Sequence, residues 1–210
     1  LKECNRFMAV WQQTLLSPLV SSLLFLSVLS LALGNNREEV LGYSFISFLA
    51  PGLIAMSILT QAFSHSVSSL MIAKIQGNIV DMLYAPLSAL EVSMAIILAS
   101  LTRSFLIAII SIGVFSLIVE MPINNILFIF IFGFLSAFIL GSLGFITGLW
   151  AEKFDHTATI TNFVITPLSF LSGVFYSIDK LPKFFQTISH INPFFYMIDG
   201  FRYGFLGKSD

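Results

Sequence analysis

Charged residues are scarce in this chain of 210 residues, of which 10% are charged and 57% are hydrophobic. An ordinary soluble domain carries about 25% charged residues, so the composition excludes a soluble globular surface. The formal net charge is −1, and no basic stripe is present to neutralise the phosphates of a nucleic acid. A single cysteine, Cys4, excludes an internal disulfide. Phenylalanine is abundant instead, with 23 residues, which indicates a protein built for lipid.

The sequence also lacks a recognisable catalytic or metal-binding motif. His65, His156 and His190 lie far apart, with no Cys or Glu at ligand spacing, so no metal site is predicted. The run Gly207-Lys208-Ser209 resembles the end of a phosphate-binding loop. That motif needs a glycine where Arg202 stands and a strand before it. The sequence therefore predicts neither a catalytic centre nor a nucleotide site in this chain.

Five apolar stretches are long enough to cross a bilayer, which takes about 20 residues. They are residues 15–33, 43–69, 92–119, 123–151 and 157–178. In hydrocarbon only helices or closed barrels satisfy the backbone, and these stretches lack the alternation of barrel strands. We therefore predict an all-α integral membrane protein with five transmembrane helices in a single transmembrane domain, 1–210.

The segments before and after these spans are mixed in character. Residues 1–14 place Leu1, Phe7 and Trp11 on one side of a helical wheel and charged or amide side chains on the other. This pattern favours a helix lying in the membrane interface, although a ragged lead-in to the first span is the alternative. Residues 179–210 carry aromatic pairs, regular charges and two prolines. They are predicted to form short amphipathic helices at the interface on one face of the membrane.

One polar segment, 71–91, interrupts the apolar pattern between the second and third spans. Its apolar residues occupy about a third of a helical wheel, while Lys74, Asn78 and Asp81 share the opposite side. The segment predicts an amphipathic helix in which Gly77 is a weak point and Pro86 a stop. Such a helix is either an ordinary solvated connection or a surface offered to an aqueous partner.

Three stretches resemble the ABC-2 type transporter permeases, the membrane subunits of ABC exporters. The run from Gly77 to Ser88, followed by Glu91, is similar to the family's cytoplasmic segment between spans two and three. "HINPFFYMIDGFRYGFLG" (190–207) resembles the family's Asn-Pro-aromatic stretch after span five, and the start of the chain resembles its interfacial helix. The matches occur in the family's order and cover nearly the whole chain.

The resemblance implies that residues 71–88 form a coupling helix that docks on a separate ATP-binding cassette subunit. It assigns this contact to Lys74, Gly77, Asn78, Asp81, Pro86 and Glu91. ATP and Mg²⁺ would be bound by that partner and not by this chain. The resemblance also implies a homodimer in contact with membrane lipid, and an outer-face motif at Asn192 and Pro193.

Orientation and length follow from the same resemblance. It places the N-terminus and residues 71–91 in the cytoplasm of a bacterial inner membrane and residues 179–210 outside. Loop charge does not decide the orientation, because basic residues are almost evenly divided between the two faces. Family members usually have six spans, so a sixth is expected beyond residue 210, and the initial Leu suggests a trimmed start.

The predicted function is that of a permease that exports an amphipathic, lipid-linked or polysaccharide-type substrate. An ion-coupled carrier or a structural membrane subunit is the alternative. An intramembrane enzyme is disfavoured, because the sequence shows no His, Asp and Glu cluster for acid–base catalysis. Ion-coupled carriers hold paired charges near the membrane midplane. Here Arg103 is the clear intramembrane charge.

Arg103 has two interpretations from the sequence. It could line a substrate path or pair with Glu91 or Glu120, or its side chain could reach the headgroups along its helix. The glycines at 141, 144 and 148 predict close helix packing. The charged run 152–155 is either a second contact with the ATPase or a solvated turn.

Overall fold

The apolar runs of the sequence form helices, the structure that satisfies a backbone in hydrocarbon within one segment. The computed structural model describes residues 15–33 and 39–210. Within these ranges the regular structure is helical, apart from one isolated bridge between Val40 and Tyr43. The predicted all-α fold is therefore confirmed. The interfacial helix predicted for residues 1–14 lies outside the described residues.

The first four predicted spans correspond to four helices. They are α1 (Ser17–Leu33), α2 (Phe45–Ile75), α4 (Ala89–Phe115) and α5 (Ile126–Trp150), with a short α3 (Ile79–Tyr84) between α2 and α4. By length and composition, α2, α4 and α5 can cross a membrane. Helix α1 has 17 residues, which corresponds to about 25 Å at the usual helical rise.

The fifth predicted span is shorter than the sequence indicated. It consists of α6 (Phe154–Ile160), a π-helical turn (Thr161–Ile165) and α7 (Thr166–Phe170). The prediction that it continues to residue 178 is wrong. The side chain of Asn192 donates to the carbonyl of Leu168 at 2.7 Å, and Ser189 donates to the carbonyl of Leu171 at 3.1 Å. These bonds satisfy the end of the helix, so the chain can turn back there.

The chain then forms a 3₁₀ turn (Ile178–Lys180), α8 (Lys183–Ile191) and α9 (Pro193–Leu206). Helix α8 exposes Phe184 and Ile191, as an interfacial helix would. Helix α9 does not lie on the surface: it packs against α2 and α5 and buries most of its side chains. The prediction of interfacial helices is therefore wrong for α9, because its phenylalanines fill the core between two spans.

The directions of the helices define two ends of the bundle. Helices α2 and α5 run parallel, because Gly144 approaches the carbonyl of Phe63 and Gly148 approaches Leu70, so both positions advance along the chain together. Helix α4 runs antiparallel to them. We call the end with the C-termini of α2 and α5 the 71–91 end. The opposite end, where the backbone N–H of Asn125 donates to Gly204 at 2.8 Å, is the 171–210 end.

Candidate functional site

The polar segment between α2 and α4 is divided at Gly77. This residue has a φ of +77°, a left-handed conformation that glycine adopts without steric cost. A Cβ at this position would meet no atom within 4 Å, so the backbone conformation and not a lack of space selects glycine. The predicted single helix over 71–88 is therefore wrong. Residues 71–75 continue α2, and a separate short helix, α3, begins at Ile79.

Four of the residues predicted to contact an ATP-binding subunit are exposed on this connection. They are Gly77, Asn78, Asp81 and Pro86. The amide of Asn78 donates to the side-chain oxygen of Gln76 at 3.2 Å, outside the protein core. The structure thus brings these four positions together on one solvent-facing connection at the 71–91 end.

Large apolar side chains surround these polar residues. Tyr84 is 86% exposed and Leu90 is 71% exposed. Ile75, Val80 and Leu87 are exposed as well. We call the exposed residues between positions 75 and 90 the 75–90 surface. Apolar patches rimmed by polar residues mark interaction sites. The contact residues assigned from the resemblance did not include these exposed apolar side chains.

Lys74 makes contacts that the helical wheel did not predict. Its ammonium group donates to the carbonyl of Leu149 at 2.6 Å and to the carbonyl of Ala151 at 2.8 Å. A cation at a helix C-terminus satisfies unpaired carbonyls and interacts favourably with the helix dipole. Lys74 therefore connects α2 to the end of α5. It does not share a face with Asn78 and Asp81, because the turn at Gly77 breaks the helical phase between them.

Glu91 caps the N-terminus of α4. Its carboxylate accepts hydrogen bonds from the backbone N–H and the hydroxyl of Ser88 at 2.7 and 2.8 Å, and the Ser88 hydroxyl oxygen accepts from the N–H of Glu91. This reciprocal capping box satisfies backbone donors at the start of the helix. The bonds from Ser88 lower the pKa of Glu91 below its ordinary value. Glu91 therefore fixes the direction in which the connection enters α4.

The charged run 152–155 lies at the same end of the bundle. Glu152, Lys153 and Asp155 are exposed, and the ring of His156 lies 5.4 Å from that of Trp150. This run directly follows Ala151, whose carbonyl is bonded to Lys74. The turn between α5 and α6 is thus mechanically connected to the end of α2.

Arg103 lies near the middle of α4, and its side chain crosses to α2. The guanidinium donates to the side-chain oxygen of Gln61 at 2.8 Å and contacts Nδ1 of His65 at 3.2 Å. The prediction that it reaches the headgroups is wrong, because these two polar groups on α2 are within reach. Its pairing with Glu91 or Glu120 is not seen either. Sequence reasoning missed Gln61 and His65, whose spacing of four residues places them on one helix face.

The predicted outer-face motif, Asn192 and Pro193, joins two helices at the 171–210 end. The Asn192 side-chain oxygen accepts from the N–H of Phe194 at 3.0 Å and caps α9, while its amide nitrogen donates to Leu168 on α7. Pro193 occupies the first turn of α9, where the missing N–H has no cost. Asn192 therefore caps two helices, the end of α7 and the start of α9.

Arg202 is a buried residue that sequence reasoning considered only as a misfit to the phosphate loop. Its side chain is fully buried, and Nη2 donates to the carbonyl of Gly173 at 2.7 Å. The guanidinium carbon lies 3.8 Å from the centre of the Phe48 ring, a cation–π contact. Its position identifies it as a connection between α9, α2 and the turn after α7. Within residues 15–33 and 39–210, no group of three or more potential ligands could hold a metal ion.

Known proteins match this chain along almost its whole length. A family model described as ABC-2 type transporter matches residues 1–206. The chain is 36% identical over 209 residues to the inner membrane transport permease YadH of Escherichia coli strain K12, covering 100% of this chain and 82% of that protein. It is 28% identical over 206 residues to nodulation protein J of Rhizobium leguminosarum bv. trifolii, covering 92% of this chain and 74% of that protein.

Proposed function

The chain belongs to the ABC-2 type transporter family, and we propose that it is the membrane-spanning permease subunit of an ABC exporter. The family resemblance predicted from the residues is confirmed. One relative is named an inner membrane transport permease, and we place this chain in a bacterial inner membrane as well. Its N-terminus and its 71–91 end would face the cytoplasm.

The 75–90 surface is the observation that carries this proposal. It combines exposed polar positions such as Asp81 with exposed apolar side chains such as Tyr84. Leaving such a patch in water is unfavourable, and covering it with a protein partner removes apolar area from solvent. The proposed partner is an ATP-binding cassette subunit. That subunit would bind ATP and Mg²⁺ and carry out the hydrolysis, with this chain as the transport subunit.

Two connections would pass the motion of the partner into the membrane. The capping box of Ser88 and Glu91 joins the connection directly to α4, so a displacement of α3 reaches that helix. Lys74 joins α2 to the C-terminus of α5. A push on the 75–90 surface would therefore move the three long helices together.

A homodimer with two ATPase subunits completes the proposed assembly. Family resemblance supports the dimer, since one such chain contributes half of a pathway. The exposed apolar side of α5, with residues such as Phe130 and Ile146, suits contact with lipid. The substrate would be amphipathic, lipid-linked or of polysaccharide type, and it would leave the cell outward.

Co-purification of an ATPase tests the proposal. The complete, tagged protein would be purified in mild detergent from its native cell, and bound subunits would be identified by mass spectrometry and by ATP hydrolysis. We expect an ATP-binding cassette subunit to accompany the wild-type protein. Asp81→Lys and Tyr84→Ala should release it while leaving membrane insertion and elution volume unchanged.

Phe184→Ala is the matched control, because Phe184 is also an exposed aromatic residue but lies on α8 at the 171–210 end. It should retain the ATPase. Recovery of wild-type chain without any ATPase, or equal recovery from Asp81→Lys, would contradict the proposed docking role. The ion-coupled carrier would then become the better account.

A further inference from the structure

A cleft of about 240 Å³ lies between α1, α2 and the turn region after α7. Its polar lining consists of Ser17, Ser21, Ser22, Ser57, Thr60 and Gln61. Aromatic rings, those of Phe25, Phe170 and Phe175, form part of its apolar wall. A cleft with an apolar wall and a few convergent polar groups is the usual form of a small-molecule site.

Three hydroxyl groups of the cleft are bonded to their own helices. Ser22 donates to the carbonyl of Pro18 at 2.8 Å, Ser57 donates to Leu53 at 2.9 Å, and Thr60 donates to Met56 at 2.9 Å. Serine and threonine commonly bond in this way inside helices. These contacts hold the hydroxyl side chains in place.

Gln61 is oriented by Arg103. Arginine can only donate hydrogen bonds, so the atom of Gln61 that lies 2.8 Å from Nη2 must be the amide oxygen. The amide nitrogen of Gln61 therefore keeps its two hydrogens for another acceptor. Within the described part of the chain no acceptor bonds to this nitrogen, and Gln61 lines the cleft.

The charge of Arg103 lies directly behind Gln61. Its hydrogen-bond partners in the described residues are the neutral amide of Gln61 and Nδ1 of His65. Because arginine is only a donor, Nδ1 acts as the acceptor, which requires an unprotonated nitrogen. In residues 15–33 and 39–210, no carboxylate forms an ion pair with Arg103. A guanidinium in the middle of a span is unfavourable unless a counter-charge or a function accompanies it.

We propose that this cleft binds the negatively charged oxygens of an amphipathic substrate, such as those of a phosphate, sulfate or carboxylate head group. Gln61 donates to the anion, Arg103 supplies the positive potential, and the aromatic wall receives the apolar tail. This inference rests on the proposed transport function, because it identifies the class of cargo. Gln61 is then a specificity-determining residue, and Arg103 positions and polarises it.

Thiol chemistry tests the potential inside the cleft without a known substrate. Cys4 is the single cysteine of residues 1–210. Ser57→Cys is therefore introduced into the complete protein after Cys4, and any cysteine outside these residues, has been changed to serine, so that the cleft carries the one thiol. Two methanethiosulfonate reagents of similar size are compared, one with a sulfonate and one with a trimethylammonium group, each normalised to its rate with free 2-mercaptoethanol. We expect the anionic reagent to react about tenfold faster.

Two variants cancel the positive charge of Arg103 in different ways. Arg103→Gln keeps a hydrogen-bond donor for Gln61, and Gln61→Glu places a carboxylate next to Arg103. Both should abolish the preference for the anionic reagent. Thr187→Cys, exposed on α8, is the control in each background and should react with both reagents. Equal normalised rates in the parent protein, a faster cationic reagent, or no reaction with either one would overturn the proposal.

Ligand protection identifies the source of the anion. Dodecyl phosphate should slow the labelling of Ser57→Cys, while dodecyl maltoside, dodecyltrimethylammonium and inorganic phosphate should not. Protection by inorganic phosphate alone, or equal protection by the maltoside, would contradict an anionic amphiphile. These assays need no ATPase. A preference for the anionic reagent without a co-purifying ATPase would therefore contradict the exporter but support the anion site. A co-purifying ATPase without that preference would contradict the anion site alone.

Discussion

The two ends of this molecule differ in how much of their connecting segments is packed against the rest of the chain, although both expose some apolar side chains, such as Phe184 on α8 at the 171–210 end. At the 171–210 end, the guanidinium of Arg202 is completely buried against Phe48, and the phenylalanines of α9 fill the core. At the 71–91 end, Tyr84 and Leu90 remain largely in solvent. The first end is held by contacts within the chain. The second end exposes the kind of surface that a partner covers.

At both ends, nevertheless, a side chain from a distant part of the chain caps the C-terminus of a helix. The carbonyls at the C-terminus of α5 accept from Lys74, and those at the end of α7 accept from Asn192 and Ser189. Side chains from distant parts of the sequence thus complete helix ends that would otherwise leave carbonyls unpaired. The difference is that Lys74 fastens the helices and leaves the adjacent 75–90 surface free.

The largest predicted effect comes from breaking the buried end. In Arg202→Met the carbonyl of Gly173 loses its donor and Asp199 loses a nearby positive charge. We expect the protein to lose about 3–5 kcal/mol of stability, because a hydrogen bond from a charged donor contributes about 1.5–3 kcal/mol and a buried cation–π contact about 2 kcal/mol. The loss is measured as a fall in the thermal transition of detergent-purified protein. Lys183→Met removes an exposed cation from α8 and should leave the transition unchanged. Equal transitions for the two variants would show that Arg202 is not a structural connection.

A smaller loss is expected where the two parallel helices approach each other. A methyl group at Gly144 would clash with the carbonyl of Phe63, so Gly144→Ala must separate α2 from α5. Overpacking of this kind costs about 1–3 kcal/mol. Gly113→Ala is the control, since a Cβ at Gly113 in α4 would meet no atom within 4 Å. That variant should be neutral or slightly stabilising, and a thermal melt of both proteins checks the contrast.

Lys74→Met should weaken the connection between the 71–91 end and α5. We expect a loss of about 0.3–2 kcal/mol, the range for a cation at a helix C-terminus, together with lower transport-stimulated ATP hydrolysis at unchanged recovery of the ATPase. Lys153→Met, an exposed lysine at the same end, should change neither quantity. A Lys74→Met protein with normal stimulation would argue against transmission through this residue.

The smallest effect concerns the capping box and depends on pH. Hydrogen bonds from Ser88 lower the pKa of Glu91, so its stabilising contribution is present above its ordinary pKa and is lost as the pH falls through the lowered value. The difference in thermal transition between wild type and Glu91→Gln should therefore shrink as the pH is reduced below the ordinary pKa of a glutamate. Glu152→Gln serves as the exposed control. A difference that persists unchanged at low pH would rule out the ionised cap.

The long helices could be predicted because each follows from a continuous apolar run. The runs containing Ile58, Leu101 and Leu140 each form a helix with an apolar face packed in the core. The local sequence also indicated a weak point at Gly77, where the structure has a turn. It did not indicate the cap formed by Asn192, because that side chain bonds to Leu168 in another helix. The family resemblance was equally readable, because its motifs are local and occur in a fixed order.

Contacts between distant residues could not be predicted in the same way. Lys74 bonds to carbonyls 75 and 77 positions further along the chain, and Arg103 bonds to residues 38 and 42 positions earlier. A helical wheel describes one helix and contains no information about its neighbours. For the same reason, the burial of α9 between α2 and α5 was missed, although its phenylalanines are evident in the sequence.

Photo-crosslinking from the 75–90 surface tests the central claim most directly. A benzophenone amino acid would replace Tyr84 in the complete protein in its native membrane, and the same residue would replace Phe184 as the control. We predict a crosslinked adduct between position 84 and an ATP-binding cassette subunit, with no such adduct from position 184. An inserted, stable protein that forms no adduct at position 84, or forms it only at position 184, would contradict docking at the 71–91 end.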